Sequence, residues 1–171
     1  MKRRQTLWQL FSCTLALAGL AVAGYLTVVH FRGEGLVCGI GDCQAVQNSP
    51  YAEIAGLPIA LLGSGMYLAL IGLNVARWRW PRSSDMLTTV AFGLALAGTL
   101  YAAYLTYLEI WVIRAICQWC VVSALLTAGI LGVETYGLNR VFGRSEESEL
   151  GGGGPGSLAA AKFSGGQTAT E

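Results

Sequence analysis

The chain alternates long apolar runs with short polar breaks. Apolar stretches cover residues 7–29, 57–76, 86–112 and 116–137. Each reaches the roughly 20 residues that a helix needs to cross a bilayer. The pattern predicts an all-α membrane protein, a four-transmembrane-helix bundle with a longer outer loop between helices 1 and 2. Met1-Lys2-Arg3-Arg4 resembles the charged start of a secretory signal. The apolar run behind it exceeds the usual length of about 7–15 residues, and three more spans follow, so the first is read as a retained span. Gly19 and Ala23 within it are small enough to let another helix approach closely.

The breaks carry turn and capping signals. The loop over residues 31–56 is the longest and most polar connection, with Gly33, Gly35, Gly39 and Gly41 giving its first half flexibility. Asp42 is placed to cap a short helix over residues 43–47, which Asn48-Ser49-Pro50 would end. Pro58 is expected in the first turn of the second helix, where its missing N–H costs least. Ser84 or Asp85 is expected to cap the third. Beyond the fourth span the composition turns acidic and then glycine-rich. Residues 1–144 are therefore read as one four-helix transmembrane domain, and 145–171 as a disordered, Gly-rich cytoplasmic tail.

Composition agrees with the pattern. Of 171 residues 54% are hydrophobic and only 12% charged, against about 25% charged in soluble domains. Mean hydropathy is +0.53. A net charge of +1 identifies no acidic partner; the lipid bilayer is the expected surroundings, and no nucleic acid is expected as a ligand. Lys2, Arg3 and Arg4 precede the first span, Arg77, Arg79 and Arg82 fill the second loop, and Arg140 and Arg144 follow the fourth span. The first and third loops hold only Arg32 and Arg114 among their basic residues. The positive-inside rule then puts both termini in the cytoplasm and the first and third loops outside.

Those two outer loops carry four of the five cysteines. Cys38 and Cys43 lie in the Gly-rich loop, and Cys117-Gln118-Trp119-Cys120 forms a C-x-x-C at the start of the fourth span. A C-x-x-C is the spacing of a thiol pair that switches between dithiol and disulfide. At a helix N-terminus, one of its thiols is expected to have a lowered pKa. Two pairs on one membrane face, in a compartment that tolerates disulfides, point to a relay by thiol–disulfide exchange. Other readings stand beside it. The Cys38/Cys43 pair could be a static loop disulfide, and the four cysteines could hold zinc, although two spans separate the pairs where zinc sites usually place roughly 15–20 residues. Cys13, inside the first span, reads as a buried apolar thiol. Tyr101, Tyr104 and Tyr107 read as an aromatic belt or as the wall of a quinone pocket. Glu109 is read as reaching the interface or pairing with Arg114.

The ordered motifs Cys38…Cys43-Gln44-Ala45-Val46-Gln47-Asn48-Ser49-Pro50-Tyr51-Ala52…Gly56-Leu57-Pro58, then Cys117-x-x-Cys120 opening a fourth span, resemble the vitamin K epoxide reductase family, its bacterial members above all. The resemblance covers about residues 7–137. It implies a four-helix bundle that holds a quinone (ubiquinone, menaquinone or a related one) near the outer surface, oxidises a thioredoxin-like partner and passes two electrons to the quinone. By the same resemblance, Cys117 and Cys120 are the pair beside the quinone and Cys120 its direct electron donor. Cys43 shuttles to Cys117, Cys38 accepts electrons from the partner, and Ser49 lies near the quinone. Ile59 and Ala124 stand where epoxide-reducing members carry Asn and Tyr, which favours plain quinone reduction. Some similar proteins carry a fused thioredoxin-like domain. This chain shows none, so the partner is expected to be a separate periplasmic protein. Another quinone-linked four-helix oxidase family places its C-x-x-C in the first outer loop, the reverse of the order here.

The expectation is a membrane thiol–disulfide oxidoreductase of the bacterial inner membrane that supports disulfide-bond formation. Its alternative is a non-enzymatic membrane protein with static disulfides or a zinc site of four cysteines.

Overall fold

The computed structural model describes residues 2–33, 35–54 and 56–151. Four helices carry the apolar runs: α1 (Lys2–Arg32), α3 (Ile59–Arg79), α4 (Ser84–Leu108) and α5 (Gln118–Gly151). Between α1 and α3 lie the short α2 (Cys43–Gln47) and a minimal antiparallel pair, β1 (Glu53–Ile54) with β2 (Leu57–Pro58). The segments long and apolar enough to cross a membrane are Leu7–Arg32, Ile59–Arg79, Ser84–Ile113 and Gln118–Gly143. The predicted four-helix membrane architecture is present, with each span starting or ending a few residues from its expected bounds. The chain divides into a unit of Met1–Leu138 and a second of Asn139–Glu171. Helix α5 runs to Gly151, past the expected domain limit at 144. The rest of the expected tail, 152–171, lies outside the described residues.

Small residues bring the helices of the first unit together. Ala16 and Ala23 of α1, Tyr67 and Leu70 of α3, Ala91 and Ala95 of α4 and Ile130 of α5 form one buried cluster. Without a hydrophobic force between helices in lipid, close backbone approach and interhelical hydrogen bonds must hold the bundle. Gly19 supplies the first, since a Cβ there would collide with the Tyr67 ring. Tyr67 supplies the second: its hydroxyl lies 2.8 Å from Thr127 Oγ1 and donates to Ser123 O at 3.0 Å.

A buried ion pair closes the end of the bundle remote from the four paired cysteines. Arg77 Nη2 meets Glu134 Oε2 at 2.7 Å, and Nη1 meets Oε1 at 3.3 Å. Ser12 donates to Glu134 Oε1 at 2.8 Å, and Asn74 donates to Ser12 at 3.3 Å. The clasp joins α1, α3 and α5. It corrects the reading of Arg77 as a loop charge: Arg77 lies in the last turn of α3, buried and paired. Arg79 ends α3, and Arg82 follows in the 3-10 turn Pro81–Ser83.

Local signals fared unevenly. Asp42 caps α2 as expected, its Oδ1 accepting Ala45 N–H at 3.0 Å. Pro58 stands one position earlier than expected, as the extended N-cap of α3 rather than in its first turn. Neither Ser84 nor Asp85 caps α4. A single 3-10 turn over Pro81–Ser83 leads into it, Ser83 is the cap residue, and no side-chain cap bond forms.

Candidate functional site: two cysteine pairs over an apolar cavity

Chain order sets the cysteine pairs on the same end of the bundle, and the loop backbone then docks one on the other. Gly41 pairs with Cys117 in an antiparallel bridge, with Asp42 N–H donating to Ile116 O at 3.1 Å. Gly41 has φ +85°, and a Cβ there would collide with the Ile116 carbonyl, so this approach requires glycine. The two residues inside the C-x-x-C add to the bridge. Gln118 Oε1 accepts the N–H groups of Gly39 (3.1 Å) and Ile40 (2.9 Å), and Trp119 Nε1 donates to Val37 O at 3.0 Å. The flexible loop expected from its glycines is thus pinned at four backbone groups.

Cys38 and Cys43 form a disulfide, with Cα atoms 6.1 Å apart. Cys43 is fully buried and Cys38 half-buried, so an outside thiol reaches Cys38 more easily. Cys117 and Cys120 are free thiols. Cys117 is buried at the N-cap position of α5, where its carbonyl accepts Val121 N–H at 3.1 Å. The Cys120 thiol beside it lowers the Cys117 pKa below the ordinary thiol range, helped by the Cys120 and Trp119 N–H groups. Burial and the Glu109 charge push the other way. The expected activated thiol of the pair is therefore Cys117.

Glu109 is the residue that sequence reasoning misplaced. It neither reaches the interface nor pairs with Arg114. Only 3% exposed, it opens a π-helical turn, Glu109–Ile113, that ends at Arg114 in the left-handed conformation (φ 57°). Its Oε2 accepts Cys117 N–H at 3.1 Å, and its carboxylate also lies in hydrogen-bond contact with the Cys120 thiol. The available signal was a lone acid at the end of an apolar span, eight residues before a C-x-x-C. Intramembrane acids are costly and mark function.

Beneath the cysteines lies a cavity of about 380 Å³, mostly apolar, within the size range of about 300–1,000 Å³ for small-molecule pockets. Cys120, Glu109 and Ser49 line it, as do Ile59 and Ala124. Cys117 is not among the lining residues. Ser49 Oγ donates to Val46 O at 2.7 Å, which engages its hydroxyl hydrogen. Tyr101 lines the cavity, while Tyr104 and Tyr107 are exposed, more than half of each surface being open. Of these three tyrosines only Tyr101 belongs to the pocket wall, beside Tyr51 and Tyr67, and the other two fit the belt. Cys13, expected buried, is half-buried on α1.

The cavity fits a quinone by size and chemistry: apolar walls for a flat ring, a thiol at one side, and a carboxyl group beside that thiol. Among the described residues no three His, Cys, Asp or Glu side chains are grouped to hold a metal ion.

Comparison with known proteins agrees with these features. The model of the vitamin K epoxide reductase family matches residues 10–135, which include all four paired cysteines. The chain is 30% identical over 110 residues to the thiol-disulfide oxidoreductase LTO1 of Arabidopsis thaliana. That match covers 60% of this chain and 29% of the plant protein, so the chain spans under a third of that relative's length. On the family match over most of its length, the chain belongs to the vitamin K epoxide reductase family.

Proposed function

We propose that the chain is a quinone-linked membrane thiol–disulfide oxidoreductase that draws electrons from a separate thioredoxin-like protein. The observation that carries this reading is the stacking of the half-buried Cys38–Cys43 disulfide, the reduced Cys117/Cys120 pair and the apolar cavity.

In the proposed relay, a partner thiolate attacks Cys38 and releases Cys43. Cys43 then attacks Cys117 of a Cys117–Cys120 disulfide, and a second thiol of the partner resolves its link to Cys38. Closure of the Cys38–Cys43 bond leaves Cys117 and Cys120 reduced. The protein with its loop pair oxidised and its inner pair reduced matches that last state. Attack by a thiolate on an accessible sulfur with a good leaving thiol is the general requirement. The half-buried Cys38 and the stabilised thiolate of Cys117 meet it. A bound quinone would supply the sink for two electrons and two protons. The chain's own part is to hold Cys120 at the cavity, exclude water with apolar walls, and receive protons. Ile59 and Ala124 offer the cavity no polar side chain at the two positions that distinguish epoxide-reducing members, which supports reduction of a plain quinone. The proposed setting is a bacterial inner membrane, with both termini cytoplasmic and the cysteine loops outside.

The test is quinone reduction by the full chain in lipid nanodiscs, driven by a reduced thioredoxin-like protein and followed by quinone absorbance. Multiple turnovers that cease in Cys117→Ala are expected. An inactive wild-type chain whose disulfide persists unchanged with reduced partner would instead mark a static bridge.

A further inference from the structure

We propose that Glu109 is the proton acceptor for the Cys120 thiol during oxidation of the inner cysteine pair, holding the proton at the cavity wall. The inference rests on the proposed function and assigns a role within the same site.

Three observations converge on this carboxylate. It is buried at the end of a membrane span, where an acid is expensive to keep. It touches both cysteines, accepting the Cys117 backbone N–H and meeting the Cys120 thiol. It lines the same cavity as Cys120. The contact with Cys117 N–H fixes one carboxylate oxygen, so the group is oriented rather than free to swing. With mostly apolar walls around Cys120, Glu109 is the base that neighbours it.

In this step Cys117 reacts as the thiolate, in keeping with its lowered pKa, and its proton goes to the medium. Cys120 keeps its proton until oxidation. As the Cys117–Cys120 S–S bond forms, two electrons leave to the quinone named above, the Cys120 S–H bond breaks, and that proton passes to the Glu109 carboxylate. The protonated carboxyl group then faces the cavity as a hydrogen-bond donor. It can return the proton to the two-electron-reduced quinone, which needs two, the second coming from solvent.

The titratable groups that act on Glu109 are the two cysteines. Helix α2, packed against the same turn, brings only Cys43, which is locked in the disulfide.

The experiment uses the full chain in nanodiscs. Glu109→Gln keeps an oxygen for Cys117 N–H but cannot take a proton. Quinone reduction should fall by about 100-fold or more, the scale of a lost general base. With no quinone present, mass spectrometry should show Cys117 alkylation shifting to lower pH, because the carboxylate charge that opposes its thiolate is gone. Glu109→Asp should recover part of the rate, and formate should do so in Glu109→Ala. The alkylation shift reports that Glu109 carries its charge beside Cys117, as a proton acceptor must, and the formate rescue is what a structural role alone would not produce. A wild-type rate in Glu109→Gln, beside an active wild type, overturns this inference and leaves the parent reading standing. Loss of rate with the alkylation profile unmoved, or with no formate rescue, also overturns it. A wild-type chain that reduces no quinone overturns the parent reading and this inference together.

Discussion

Gln118 Oε1 lies 2.9 Å from Ile40 N, so a residue inside one cysteine pair grips the loop that carries the other. With its second bond, to Gly39 N–H, the side chain fixes the loop between Cys38 and Cys43 against the start of α5. Replacing it by Ala removes two hydrogen bonds of about 0.5–1.5 kcal/mol each. Gln118→Ala should therefore speed amide hydrogen exchange at Gly39 and Ile40 and slow transfer between the cysteine pairs. Unchanged exchange at both amides would show that the Gly41 bridge alone holds the loop.

The Gly41–Cys117 bridge also bears on the proposed order of transfer. It stands two residues from Cys43, and Cys43 is the inward-facing sulfur of its pair. In Cys120→Ser, the thiol that would release a mixed disulfide at Cys117 is missing. A Cys43–Cys117 bond should accumulate. Proteolysis between α3 and α4, followed by non-reducing gels, should then leave the two fragments joined. A Cys38–Cys117 link in its place would reverse the roles of the loop cysteines.

Acidity at Cys117 has a definite sign. Its pKa is lowered chiefly by the Cys120 thiol, so alkylation of the reduced protein should reach half its limiting rate below the pH of an ordinary thiol. Cys120→Ala should move that midpoint upward. By linkage, the lowered pKa stabilises the reduced fold. This contribution is fully present above the unfolded cysteine pKa and is lost as pH falls through the lowered folded value. A midpoint that stays put in Cys120→Ala would place the cause in the α5 backbone instead.

The Arg77–Glu134 clasp should respond asymmetrically to mutation. Glu134→Ala leaves a buried guanidinium without its carboxylate, a loss of about 3–5 kcal/mol for a buried pair broken on one side. Replacing both members by Met and Leu should cost less than either single loss. Unfolding in mixed micelles, monitored by circular dichroism, measures both. A double change that costs the sum of the two single losses would mean that the charges act independently.

The spans were legible because a bilayer demands long apolar runs, and only those runs supply them. Asp42 was legible because capping is local, spanning three residues. Glu109 was not, since its partners come from a π-helical turn that reverses the chain toward Cys117, and no periodicity announces such a turn. Gln118 and Trp119 were read as mere spacing between cysteines, although each reaches the distant loop. Arg77 was misread because a three-residue arginine cluster resembles a loop, and burial by Glu134 of α5 is invisible without the fold. The roles of individual cysteines and of Ser49 came from resemblance rather than from the residues themselves.

The ion pair has a further consequence for how the chain is made. Arg77 is synthesised before Glu134, with all of α4 between them. Until α5 emerges, the guanidinium must wait in or near the membrane without its carboxylate, able to draw on Ser12 and Asn74 for little beyond local polarity. A nascent chain that stops short of α5 thus holds a cation at the end of α3 without its buried partner. Completion of the bundle and neutralisation of that charge become one event in biogenesis.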